Sequence, residues 1–167
     1  MDSRIFEGNR MIREGGPIGP IEDYLPQLQA VFEKQGVILA YLYGSQASGK
    51  AGPLSDVDIA VLFARGVESR ERFDRILKLM GALSGVFKRD DVNVLDLDEG
   101  TPLLNNNVRL HGRAIFCADE RARIAFEVNV LQRYLDTVPL RRELNKYLVA
   151  RIRCGLFGKP IPIARAR

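Results

Sequence analysis

Tryptophan is absent from the chain, histidine occurs once and cysteine twice, and each shortage removes a class of chemistry. His111 stands alone before Gly112, with no serine or acid at a recognisable distance, so a Ser-His-Asp apparatus has no support. Its place suits the end of a helix, where histidine is favoured electrostatically. Cys117 and Cys154 are too few and too isolated for a zinc cluster or a disulfide framework, and read as buried or incidental thiols. No run approaches the roughly 18 consecutive apolar residues of a membrane span. The opening Met1-Asp2-Ser3-Arg4-Ile5-Phe6-Glu7 lacks the charged-then-apolar order of a secretory signal, so the expected location is the cytoplasm, without membrane attachment. Internal repeats and low-complexity tracts are also missing.

What is present is an ordinary globular composition. Of 167 residues, 46% are hydrophobic and 28% charged, enough for one domain with a real core and too little chain for two. The net charge of +4 is modest, although the last stretch is rich in Arg and Lys and almost free of acids. Arg141, Arg142, Arg151 and Arg153 lack interleaved aromatics, which makes nucleic acid the weakest partner class.

Punctuation divides the chain. The cluster Gly15-Gly16-Pro17-Ile18-Gly19-Pro20 can continue neither a helix nor a ladder, so residues 1–20 are expected to be a flexible arm. Residues 21–117 form the expected core, 118–153 a C-terminal helical segment and 154–167 an irregular basic tail. Within the core, Ile21 to about Gln35 has helical spacing ending near Gly36, with a start at Glu22 or Asp23 so that Pro26 falls in the first turn. Val37–Tyr43 is a short apolar run, a strand buried on both faces. The stretch from Gly44 to Ser55, with several glycines and Pro53, is expected to hold no regular element. Asp56–Phe63 reads as a second strand. Phe73, Ile76, Leu77, Met80, Leu83 and Phe87 mark an amphipathic helix over 69–87. A third strand over 92–97, a short helix over 102–110 and a fourth strand over 114–117 follow. From Ala118 to about Ile152 the pattern is helical, with a kink or break expected near Val138 because of Pro139. The fold class is therefore α/β (α+β): a small mixed β-sheet of about four strands flanked by helices.

The chemistry concentrates between the first two strands. Asp56 and Asp58, two positions apart on one strand, point to the same face with roughly 6.5–7 Å between their Cα atoms, close enough to converge on one hard cation. Gly44 and Ser45 end the preceding strand, where free backbone N–H groups suit phosphate oxygens. Lys50 lies in the same connection and is a further candidate for neutralising a triphosphate, although an exposed loop lysine looks the same. Gly44 to Lys50 nearly spells a P-loop, but no Ser or Thr follows Lys50, and Gly52-Pro53 and then a strand stand where a P-loop requires a helix.

Gly-Ser followed by Asp-x-Asp between two apolar runs resembles the nucleotidyltransferase superfamily that includes DNA polymerase beta, in its minimal, MNT-type branch. Gly44, Ser45, Asp56 and Asp58 stand at the motif positions. The resemblance covers roughly residues 21–117, with weaker likeness at Phe126-Glu127 and Tyr134-Leu135-Asp136. It implies the nucleotidyltransferase fold, Mg²⁺ (or Mn²⁺) held by Asp56 and Asp58, and ATP as substrate. It further implies an antitoxin that adenylylates a tyrosine of a cognate HEPN-domain ribonuclease toxin and forms a hetero-oligomer with it. Two departures stand out. Where the family places a third carboxylate, this chain has Asn93, whose neutral amide cannot accept a proton; Asp91 shares its parity and could deputise if the strand began early, whereas Asp96 points the other way. Gln46 follows Gly-Ser where many members have arginine. Asn93 keeps alive a catalytically weak antitoxin acting by stoichiometric binding. A small-molecule, aminoglycoside-like nucleotidyltransferase is the other alternative, with little chain left to build its acceptor pocket.

Overall fold

The computed structural model describes residues 17–159. The arm expected over 1–20 lies outside the described residues except for its last four positions, and the expected tail is described only to Lys159. A short 3-10 turn, Ile21–Asp23, leads into α1 (Leu25–Lys34), followed by β1 (Val37–Tyr43), α2 (Gly44–Ala47), β2 (Val57–Phe63), α3 (Ser69–Phe87), β3 (Val92–Asp96), α4 (Pro102–His111), β4 (Arg113–Cys117) and α5 (Glu120–Arg153). The strands form one mixed sheet in the order β3-β2-β1-β4. β1 runs antiparallel to both β2 and β4, and β2 runs parallel to β3.

Both faces of the sheet are covered, which is why β1 is apolar without alternation. On one face Val57, Ile59, Val61 and Phe63 pack with Leu28 and Phe32 of α1 and Leu79, Leu83 and Phe87 of α3. On the other, Leu39, Tyr41, Ala60 and Leu62 meet Leu97, Val108 of α4 and Phe126 of α5. Parity assigns Asp58 to this second face, alongside Ala60 and Leu62.

Several expected boundaries move. α1 starts at Leu25 rather than at Glu22 or Asp23, since Pro26 must sit in the first turn and the residues before it close a 3-10 turn instead. The connection after β1, expected to be irregular, begins with one helical turn, α2, closed by Ser48 Oγ donating to the carbonyls of Gly44 (3.1 Å) and Ser45 (3.2 Å). α5 continues through Pro139 as one helix, about 50 Å long at the usual rise per residue. Pro139 is exposed, so the carbonyl one turn earlier that loses its donor is left to water, and Thr137 Oγ1 donates to Tyr134 O (2.7 Å) beside it. Both cysteines are exposed, not buried.

Candidate active site

Strand register builds the site. Tyr43 of β1 pairs with Asp58 of β2, and Asp58 pairs with Asn93 of β3, so three residues line up in one row across three adjacent strands. Asp56 precedes β2 by one residue and is exposed. The Asn93 amide nitrogen donates to Asp56 Oδ2 and to Asp58 Oδ1, both at 3.2 Å. The two carboxylates thus converge on one point, as their spacing predicts, and Asn93 meets them from the neighbouring strand.

Gly44 turns the chain directly beside them. Its φ is +72°, a region that side chains with a Cβ rarely adopt, and a Cβ built there would collide with Asp58 Oδ2. Glycine is therefore favoured twice at this position, by a conformation that strains other residues and by the close approach of a carboxylate that a Cβ would have to displace. Ser45 is half-buried in α2, and its carbonyl accepts the Lys50 backbone N–H at 3.0 Å. That bond keeps Lys50 on the same turn, with the residue itself exposed. Burial and then the Asp58 charge push the Tyr43 phenol above the ordinary tyrosine range, so this hydroxyl is held protonated beside the row.

The recruitment of Asp91 does not occur. β3 begins only at Val92, and the Asp91 carboxylate is gripped by Arg89, Nε to Oδ1 at 2.7 Å and a terminal nitrogen to Oδ2 at 2.6 Å. Arg89 is buried, and the same nitrogen donates to Ser55 O at 2.6 Å, directly before Asp56. Sequence reasoning missed Arg89. The one local signal was the run Lys88-Arg89-Asp90-Asp91, two bases and then two acids, just ahead of a buried strand. Asp96 faces away, as its parity predicts, buried near Arg72 of α3 with its carboxyl raised by that burial. His111 lies exposed as the last residue of α4.

Two carboxylates and a nearby amide suit a hard divalent cation that completes its shell with substrate oxygens. Among the described residues no group of three or more His, Cys, Asp or Glu side chains is arranged to hold a metal. Two carboxylates fill only part of an octahedral shell, so these residues fit an ion arriving with phosphates better than a fully protein-bound one. The amide would rotate to present its oxygen in that case. No helix among the described residues is long and apolar enough to cross a membrane.

Comparison with known proteins places relatives beside the chain as a whole. The chain is 28% identical over 125 residues to the protein adenylyltransferase MntA of Shewanella oneidensis strain MR-1, covering 75% of this chain and 79% of that protein. Among solved structures, a toxin-antitoxin crystal structure with AMP-PNP superposes with a TM-score of 0.61 at 24% identity, over 75% of this chain and 98% of the other. A chain from the complex of the tri-AMPylated Shewanella oneidensis HEPN toxin with its MNT antitoxin gives a TM-score of 0.59 at 21% identity, over 78% and 99%. These two likenesses establish a shared fold. The family described as polymerase beta, nucleotidyltransferase, matches residues 26–121, more than half of the chain and all of the row from Tyr43 to Asn93; the chain belongs to that family.

Proposed function

We propose that the protein is an antitoxin that transfers AMP from ATP to a tyrosine hydroxyl of a cognate HEPN-type toxin in the cytoplasm. The observation that carries this reading is the convergence of Asp56 and Asp58 on a single point beside the Gly44 turn. The likeness to a protein adenylyltransferase, and to chains solved with a toxin and with AMP-PNP, supports the choice of nucleotide and acceptor.

Asp56 and Asp58 would hold Mg²⁺ or Mn²⁺, which when bound screens the phosphate charge against an incoming nucleophile. Gly44 and Ser45 seat the outer phosphates, and Lys50 adds a positive charge on the same turn. The acceptor oxygen forms a bond to the α-phosphorus, the bond from that phosphorus to the β-bridging oxygen breaks, and pyrophosphate departs. The proton released by the acceptor phenol cannot pass to Asn93, whose amide has no basic site, and passes to water instead. This predicts slow turnover.

The test is to incubate the chain with ATP, Mg²⁺ and the co-expressed partner and to weigh the intact partner. An adenylyl mass increase is expected, and its loss in Asp56→Ala and Asp58→Ala. An increase that survives both substitutions defeats the scheme. A second reading, neutralisation by stoichiometric binding, is favoured by Asn93 and by the exposed apolar residues of α5, including Leu140, Leu144 and Tyr147. It predicts toxin neutralisation that persists when both aspartates are replaced.

A further inference from the structure

We infer that Gln46 is a positioning residue, holding the Gly44-Ser45 turn at a fixed distance from the Asp56 edge through a strap made by residues 17–20. The inference rests on the nucleotidyltransferase reading and deepens it. α2 is a single helical turn, too short to hold its own position. Gln46 sits in the middle of it with both ends of its amide engaged. Oε1 accepts the backbone N–H of Ile18 at 3.1 Å, and Nε2 donates to Ser55 O at 3.4 Å. An amide can do both, whereas a cationic side chain at this position could only donate.

Each end of this bridge is anchored. Ile18 packs against the main core together with Ala47 of α2, which fixes the strap to the body. Ser55 is held by a turn in which Gly52 N donates to its Oγ (2.8 Å) and its own N–H donates to Gly52 O (3.1 Å). Its carbonyl also accepts from Arg89, the base that grips Asp91 at the start of β3. The chain of bonds therefore runs from the strap through the phosphate-side turn to the residue before Asp56, and on to the strand that carries Asn93. Only a ligand that touches both the turn and the carboxylates senses the distance that Gln46 sets. ATP spans both; AMP lacks the outer phosphates.

Titration calorimetry with Mg²⁺ and either ATP or AMP, on the full chain, tests this. Gln46→Leu, close in volume and neutral, is expected to weaken Mg-ATP binding about tenfold, the loss of two modest hydrogen bonds. AMP binding should change less than about twofold, the KM for ATP should rise while kcat at saturation holds, and the thermal midpoint should stay within a few degrees. Ile18→Pro, which removes both the strap's donor and the side chain that anchors the strap while leaving Gln46 in place, is expected to weaken Mg-ATP binding in the same direction by about threefold. Unchanged ATP affinity in Gln46→Leu overturns the inference. So does a parallel loss of ATP and AMP, and so does a loss in Gln46→Leu with none in Ile18→Pro, which would make Gln46 a direct contact. Failure of the unaltered protein to bind Mg-ATP overturns the nucleotide reading as well, and is distinguishable from these.

Discussion

At the scale of single residues, the site depends on how closely Gly44 and Asp58 approach. Gly44→Ala introduces a Cβ where φ is +72° and where Asp58 Oδ2 already lies. We expect it to cost about 1–3 kcal/mol of stability and to weaken Mg-ATP binding, read from denaturant unfolding and calorimetry. Asn93 is the opposite case, a residue that fits its surroundings but lacks a proton site. Asn93→Asp is expected to raise the rate of AMP transfer by about tenfold or more, since positioned general bases contribute 10²–10⁴-fold; a rate at or below that of the unaltered chain would show that the missing base does not limit turnover. Asp56, Asp58 and Gly44 were legible in the sequence because a strand's period of two and a glycine at a strand end are local signals. The partners of Gln46 and the Ser55 partner of Arg89 were not, because a hydrogen bond between Ile18 and Gln46, or between Arg89 and Ser55, joins positions that no local pattern relates.

At the scale of elements, the same division holds. All four strands and the long helices α3 and α5 followed from apolar runs and their spacing, and the differences fell at ends and turns, at the start of α1 and the single turn of α2; of the kink or break expected near Val138, the break is absent and α5 is one helix. Proline's effect depends on whether the freed carbonyl can reach water, which sequence alone does not say. α5 is tied to the sheet by polar contacts that periodicity also hides. Tyr41 Oη donates to Glu127 Oε1 at 2.8 Å, and Arg123 donates to the same oxygen at 2.8 Å. Burial, and then the bond to Glu127, push the Tyr41 phenol well above its ordinary value. A folded-state pKa above the unfolded value of about 10 means stability that is complete below pH 10 and falls as pH rises beyond it. Denaturant unfolding between pH 8 and 11 should therefore show declining stability, with a shallower decline in Tyr41→Phe. An identical slope would place the alkaline loss elsewhere, with Tyr43 the next candidate.

At the scale of the whole molecule, only the first part of α5 packs on the core. Val130 is buried, while Ile124, Val128, Leu131 and Leu135 form one exposed apolar stripe, and Leu140, Leu144 and Leu148 form another. The five-residue step from Leu135 to Leu140 rotates the second stripe by about 140° relative to the first. Arg142, Lys146 and Arg153, with the exposed Val149, line an open groove on the opposite side of this part of the helix, the side that continues the first stripe. Apolar positions at helical spacing led the sequence reading to a helix, but spacing does not reveal whether a stripe faces the core or a partner. Under the antitoxin reading, Leu144→Glu is expected to leave Mg-ATP binding and folding intact and to reduce capture of the co-expressed toxin at least tenfold in pull-down titrations; undiminished capture would locate the interface elsewhere. The root of this helix bonds, through Glu127, to Tyr41, and three residues further along the chain, directly past the end of that strand, is Gly44. A rod clamped at one end transmits load to its clamp. Under the antitoxin reading, a toxin that seizes the free end of α5 is joined, by way of one carboxylate and one phenol, to the strand that leads into the proposed phosphate turn.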